Sequence, residues 1–276
     1  MYIIEKVLNN NSLIVLDNNE EVIIVGKGIG FGKKPKQNFT PTTPIKIYTM
    51  ETQKKETKKS KEIIEHINPI YIEIASEIIN EAKDKFKKVD TRILLPLADH
   101  IEFAIKRMND EMYVSNPFTT EISLLYPEEY QIGLKGKDII KNKVNVDISD
   151  DEVGYITLHI HSAITSEHVT DSIKTMEVIQ NSINDLEKSL KITININSIS
   201  YLKLMNHMNA LLMRIRTKEK LQMDINGFTK DKFPFAYTKA NDICEKLSHT
   251  LGKEIPESEV GYLALHLERI LSSQIK

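Results

Sequence analysis

The apolar positions change rhythm once along this chain. Residues 2–8 (YIIEKVL), 12–16 (SLIVL) and 21–25 (EVIIV) are short runs rich in Ile and Val, parted by Asn9-Asn10-Asn11 and by Asp17-Asn18-Asn19-Glu20. Such runs between turn-forming Asn residues predict an antiparallel β-meander, because Asn tolerates positive φ. A last short strand is predicted around Ile45–Tyr48, then a lysine-rich linker. From residue 62 the period lengthens. Ile63, Ile67, Ile70, Ile74 and Ile78 recur at spacings of three and four, an amphipathic helical stripe. The remainder reads as helical, with breaks near Pro96, Pro117, Pro127, Pro234 and Pro256.

Sliding the chain against itself by 107 positions exposes a repeat. Glu152-Val153-Gly154-Tyr155 falls on Glu259-Val260-Gly261-Tyr262, and Leu158-His159 on Leu265-His266. Tyr126-Pro127 falls on Phe233-Pro234, His100 on His207, and Arg107 on Arg214, all without a gap. The expected fold class is therefore multidomain: a small antiparallel β domain followed by two homologous all-α helical-bundle domains. The expected boundaries are 1–60 for the β domain and linker, 61–169 for the first helical domain and 170–276 for the second.

Composition narrows the function classes. With 37 Lys plus Arg against 39 Asp plus Glu, the net charge of −2 argues against a polycation that binds nucleic acid by bulk charge. The charge is unevenly spread, however: residues 1–60 carry +4 and the remainder −6. One cysteine, Cys244, excludes an intramolecular disulfide framework and a Cys-cluster zinc site, and suits a reducing cytoplasm. No segment approaches ~18 consecutive apolar residues, so neither a signal peptide nor a membrane span is expected. The low glycine and proline content, with no phosphate-loop motif after a strand, disfavours nucleotide-binding α/β folds.

The repeat histidines are the first candidates for chemistry. In each repeat one His lies in a helical run (LADHIEFAIKR; YLKLMNHMNALLMRI) and the other ends an apolar string (VGYITLHIHSA; VGYLALHLERI). A neutral imidazole, with an ordinary pKa of ~6.5, is a good nucleophile and accepts a phosphoryl group on nitrogen. That group carries a charge of about −2 and would oppose burial on an apolar face. The ordinary alternative is a hydrogen-bonded core or interface histidine. Arg107 and Arg214 follow their histidines by seven residues, two helical turns, and share their face. They suit either a phosphate or a solvated helix end. His159 and His161 are two apart, which is poor for metal chelation from one helical face, so no metal site and no cofactor are expected.

The second candidate is the N-terminal block. Lys6, Asn9, Asn10 and Asn11 lie at the first turn, and Gly26, Lys27, Gly28 and Phe31 past the third strand. Lysine meets phosphates, Asn amides read base edges, and Phe31 offers a stacking surface. The ordinary alternative is a small sheet with Phe31 in its core and the glycines as bulges.

Taken together, KVLNNNSLIVL…EEVIIVGKGIGFGKK and the two repeats resemble the BglG-type transcriptional antiterminators of the sugar phosphotransferase system. The resemblance spans essentially the whole chain. The strings AIKRMNDEMYVSNPF, SLLYPEEYQIG and VGYITLHIHSA are most similar to the glucose-permease-operon subgroup. It implies a co-antiterminator RNA-binding domain working as a symmetric homodimer, followed by two phosphotransferase regulation domains, or PRDs. Lys6, Asn11, Gly26, Lys27, Gly28 and Phe31 match the family's RNA-contacting region, with Asn9 and Asn10 adjoining. His100 and His159 match the phosphorylatable histidines of the first PRD, and His207 and His266 those of the second. The implied partners are a leader-mRNA hairpin, and enzyme II and HPr as phosphoryl donors; the implied location is the cytoplasm.

The implied mechanism is a switch between exclusive RNA pairings. The dimer holds the antiterminator hairpin, the overlapping terminator stem cannot form, and polymerase reads on. Phosphate from enzyme II on the first PRD inactivates the protein, whereas phosphate from HPr on the second stimulates many members. A bias of ~2–3 kcal/mol shifts a balanced equilibrium ~30–150-fold, so a few phosphates suffice. This implies a regulator rather than an enzyme. The rivals are the same mechanism on a β-glucoside or sucrose operon, a phosphotransfer protein, and a DNA-binding activator that carries PRDs. The last needs an N-terminal helix-turn-helix, where residues 1–48 read as strands.

Overall fold

The computed structural model describes residues 1–18, 20–49 and 62–274. Most of the lysine-rich linker, at 50–61, lies outside the described residues. Five strands form one antiparallel sheet: β1 (Tyr2–Val7), β2 (Ser12–Asp17), β3 (Glu20–Val25), β4 (Asn38–Phe39) and β5 (Lys46–Thr49). Their spatial order is β4-β1-β2-β3-β5, so the meander expected from residues 2–25 forms its centre. The two-residue strand β4 has too little pattern to be read from sequence. Of the two turns, Asn18 takes the left-handed conformation, at φ 48°. The bulge lies not in the glycine run but in β1, where the register shifts between Ile4 and Lys6.

Both faces of this sheet are covered. Ile4, Leu13, Val15, Val22, Ile24, Ile29 and Phe39 close a small core on one side. On the other, Ile14, Ile23, Val25 and Tyr48 join a larger core shared with helical residues such as Ile74, Ile78 and Ile79. Alternate positions of β2 and β3 thus serve opposite cores, as a pleated strand requires.

Ten helices of seven residues or more follow among the described residues: α1 (Pro69–Lys85), α2 (Leu94–Asn109), α3 (Thr119–Leu125), α4 (Pro127–Val144) and α5 (Asp150–Thr165), then α6 (Val169–Leu190), α7 (Ile199–Thr217), α8 (Asn226–Lys232), α9 (Pro234–Leu251) and α10 (Ser258–Gln274). The isoleucine stripe is not one helix. A helical segment at 62–66 stops before Pro69, and Asn68 caps a new helix by accepting from the Ile70 amide. Proline suits that first helical position because its missing N–H has no partner there anyway. Pro96 likewise sits in the first turn of α2. Displaced by the 107-residue offset, α3 and α4 coincide end to end with α8 and α9.

The chain divides into two compact units. One comprises Met1–Asn116 and Glu128–Glu167, and the other Pro117–Pro127 and His168–Lys276. In the first, the sheet, α1, α2, α4 and α5 share a core. In the second, α3 lies against α7, where the Tyr201 hydroxyl donates to Glu121 at 3.2 Å. There α8 is tied to α10 by Asn226, whose Oδ1 accepts from the Gly261 amide at 2.8 Å.

Candidate functional site

The repeat histidines meet in pairs. In the first unit α2 carries His100 and α5 carries His159, and their ring centroids are 5.3 Å apart. In the second, α7 carries His207 and α10 carries His266, with centroids 4.7 Å apart. Tyrosines from the EVGY strings flank both: Tyr155 is 5.5 Å from His100 and Tyr262 is 6.2 Å from His207. The helices are set by local signals. Ser149 caps α5, accepting from the Glu152 amide, and Asp150, Asp151 and Glu152 place negative charge in its first turn. Ser198 caps α7 in the same way.

Beside each pair a buried Glu meets a half-buried Arg. Arg107 Nη2 donates to Glu152 Oε1 at 2.8 Å, and Glu152 Oε2 lies 3.1 Å from His100 Nε2. In the second unit Arg214 donates twice to Glu259, and His207 Nε2 stands 3.9 Å from the nearer carboxylate oxygen. His100 Nε2 and Glu152 Oε2 are close, yet neither has a hydrogen-bond partner. Arg107 Nε, His207 Nε2 and His266 Nδ1 are also buried without a hydrogen-bond partner. Each such atom costs ~1–3 kcal/mol, which marks these clusters as places held for something besides stability.

Burial disfavours the charged form of three of these rings. Burial, then the neighbouring His100, pulls His159 down to about 3. Burial, then His266 and Arg214, pulls His207 down to about 3 as well. Burial, then Arg269 and Lys203, lowers His266. For Glu152, burial works toward a higher pKa, but the contacts with His100 and Arg107 outweigh it and the carboxyl ends below its ordinary value. Glu259 holds Arg214 firmly protonated. The resulting chemistry is a neutral imidazole with a lone pair, a buried carboxylate and an arginine able to meet a second anion. Among the described residues no group of His, Cys, Asp and Glu is arranged to hold a metal ion.

At the N-terminus the Asn turn and the glycine run close on each other. The Gly26 amide donates to Asn11 O at 2.8 Å, Gly28 N–H to Asn11 Oδ1 at 2.8 Å, and Gly30 N–H to Asn10 O at 2.9 Å. A Cβ at Gly30 would collide with the Asn9 carbonyl, so the close approach that the glycines allow is to this turn. Phe31 is 75% exposed, which removes the core reading of that side chain. Lys6, Asn10, Lys27 and Gly28 are also exposed. Asn9 and Asn11 point elsewhere. Asn9 Nδ2 donates to Glu73 Oε1 at 2.6 Å, and Asn11 Nδ2 reaches both Glu73 oxygens at 3.2 and 3.3 Å. Lys6 Nζ rests 3.5 Å from the Ile64 carbonyl.

Comparison with known proteins decides what these clusters belong to. The family model described as PRD domain matches residues 73–163 and 180–270, each span holding one histidine pair, and that described as CAT RNA binding domain matches residues 2–57. The chain belongs to the PRD family. Its PRDs follow a CAT RNA-binding domain that contains the Asn turn and the glycine run. Along its whole length the chain is similar to the "GlcA/glcB genes antiterminator" of Staphylococcus carnosus, 33% identical over 100% of this chain and 98% of that one. The similarity to "Protein GlcT" of Staphylococcus aureus is 32% over 96% and 95%. The crystal structure of GlcT CAT-PRDI covers 59% of this chain and 98% of its own, with a TM-score of 0.52 and 36% identity. These relatives carry regulator names, not enzyme names.

Each PRD thus brings together the two histidines that its sequence singles out, and adds Glu152 or Glu259 and Tyr155 or Tyr262. The carboxylates were visible in the repeated EVGY string. Their partner was hidden, because Arg107 and Glu152 are 45 residues apart, as are Arg214 and Glu259. His161 is outside the pair: it is buried against Glu129, with Nδ1 and Oε1 at 2.9 Å.

Proposed function

We propose that this protein is a transcriptional antiterminator whose CAT domain binds a hairpin in a leader mRNA and so prevents a terminator from forming. Reversible phosphorylation of His100, His159, His207 and His266 by enzyme II and HPr controls it, in the cytoplasm, as a homodimer, on a glucose-type phosphotransferase operon. The observation that carries this reading is the pairing, in both PRDs, of two half-buried histidines beside a Glu–Arg couple. A phosphoryl group on His100 would set about two negative charges beside Glu152, in surroundings that screen them poorly. Arg107 is then the only nearby cation in that couple, and Glu152 must share or yield it. That exchange converts a ring modification into a rearrangement of α2 against α5, which both belong to the unit that contains the CAT domain.

RNA contact is assigned to Lys6, Asn9, Asn10, Asn11, Gly26, Lys27, Gly28 and Phe31. An exposed ring, exposed lysines and a backbone turn without bulky side chains suit unpaired or stacked bases and phosphates. In vitro transcription across a leader and its terminator tests the reading. Adding unphosphorylated protein is expected to raise the fraction of read-through transcripts. An unchanged fraction at saturating protein contradicts it.

A further inference from the structure

Glu73 is a carboxylate 8% exposed on the inner side of α1, and its contacts with the Asn turn have a defined polarity. The Gly28 amide can only donate, so the Asn11 atom it meets is Oδ1, and the other end of that amide is the donor Nδ2. Asn9 is oriented the same way, since its Oδ1 accepts from the Asn11 amide at 2.8 Å. Two side-chain donors therefore converge on one point, fixed by the backbone of the turn and the glycine run. Convergent donors of this kind select an anionic oxygen. Glu73 fills that point now.

The surroundings suit a larger anion. A cleft of ~520 Å³ opens beside Asn11 and Glu73, lined by Gly26, Lys27, Lys46 and Lys143 among others. Lys143 is paired there with Glu77 at 2.7 Å. A second contact holds the sheet to α1 without Glu73: the Tyr48 hydroxyl and Ser76 Oγ are 2.6 Å apart. Losing the Glu73 contact therefore leaves an anchor between sheet and helix.

We propose that the Asn9 and Asn11 amides form a subsite for an RNA phosphodiester oxygen, and that Glu73 is its intramolecular competitor. This rests on the RNA-binding reading above and adds which atoms meet the backbone and what opposes them. Helix α1 and RNA then exclude each other at this point, so a shift of α1 in the first PRD alters RNA affinity directly.

The test is fluorescence anisotropy of a labelled leader hairpin RNA with the full chain and its Glu73→Gln and Glu81→Gln variants, at one salt concentration; Glu81 is on the same helix, paired with Lys135 away from the cleft. Glu73→Gln is expected to bind about tenfold tighter, the effect of removing one charged acceptor, and Glu81→Gln within about twofold of the original. Unchanged or weaker binding by Glu73→Gln overturns the proposal. So does an equal gain in both variants, which is a bulk charge effect. Binding by none of the three proteins overturns the RNA-binding reading itself. Should Glu73→Gln fail to fold, the side-chain NH₂ resonances of Asn9 and Asn11 in the original chain answer instead. They move on RNA addition if the amides change partner, and unmoved signals at saturating RNA overturn the proposal.

Discussion

Arg214 grips Glu259 with two hydrogen bonds of 2.7 Å, from Nε and Nη2 to separate carboxylate oxygens. Its counterpart Arg107 reaches Glu152 at 2.8 Å through Nη2, and its Nε has no hydrogen-bond partner. The two PRDs therefore hold one motif in two states: a closed clasp in the second, and in the first a single hydrogen bond with His100 beside the other carboxylate oxygen. Arg214→Met strands Glu259, which is 1% exposed, and is expected to cost ~3–5 kcal/mol. Arg107→Met should cost ~1–2 kcal/mol less, because it removes one hydrogen bond rather than two, and His100 Nε2 stays 3.1 Å from Glu152 where His207 Nε2 stands 3.9 Å from Glu259. Urea unfolding of the two variants measures the difference; equal losses would remove the asymmetry.

Acid should weaken the protein through its histidines. His159 and His207 are held down to about 3, so between that value and ~6.5 the unfolded chain binds protons that the folded chain refuses. Stability from these residues is present above pH ~6.5 and falls as pH drops, by up to ~2 kcal/mol per histidine at pH 5. Thermal melts from pH 7.5 to 5 are expected to show a falling midpoint, and His207→Asn to flatten the slope. An unaltered slope in that variant would remove His207 from the effect.

Two glycines of the CAT domain should fail for different reasons. At Gly30 a Cβ meets the Asn9 backbone, which cannot swing aside, so Gly30→Ala is expected to cost ~1–3 kcal/mol and to open the Asn turn. At Gly28 there is room for a Cβ, but φ is +71°, and Gly28→Ala should cost only ~1–2 kcal/mol. Amide exchange at Gly28, which donates to Asn11, reports the damage. Faster exchange in Gly28→Ala than in Gly30→Ala would contradict this order.

Phosphoryl transfer can be followed directly. Reconstitution with phosphoenolpyruvate, enzyme I, HPr and enzyme II is expected to label residues 62–168, and His100→Ala with His159→Ala to abolish that label. Arg107→Met should reduce its yield severalfold, because a phosphoryl group loses its counter-ion. Full labelling of the double alanine variant would show that the acceptor lies elsewhere.

Much of this was legible in the chain. The 107-residue offset located both histidine pairs, and the Val/Ile runs located the meander, because each signal is a local period. What escaped depends on contacts between distant elements. Glu73 sits in the string YIEIAS, among isoleucines of a helical stripe, and nothing there announces an acceptor for Asn residues 62 and 64 positions earlier. Phe31 could have been core or surface on sequence alone, and its 75% exposure decides the matter. The break before Pro69 was obscured by isoleucine spacing that continues across it.

The most direct test of phosphate-controlled RNA binding is a titration of the full-length chain with its leader hairpin RNA, and with duplex DNA of matching sequence, before and after phosphorylation by the reconstituted donors. The unphosphorylated protein is expected to prefer the RNA, and phosphate on the first PRD to weaken that binding at least about tenfold, the yield of ~1.4 kcal/mol of coupling. Equal affinity for RNA and DNA, or an RNA affinity that phosphorylation leaves unchanged, would contradict the account.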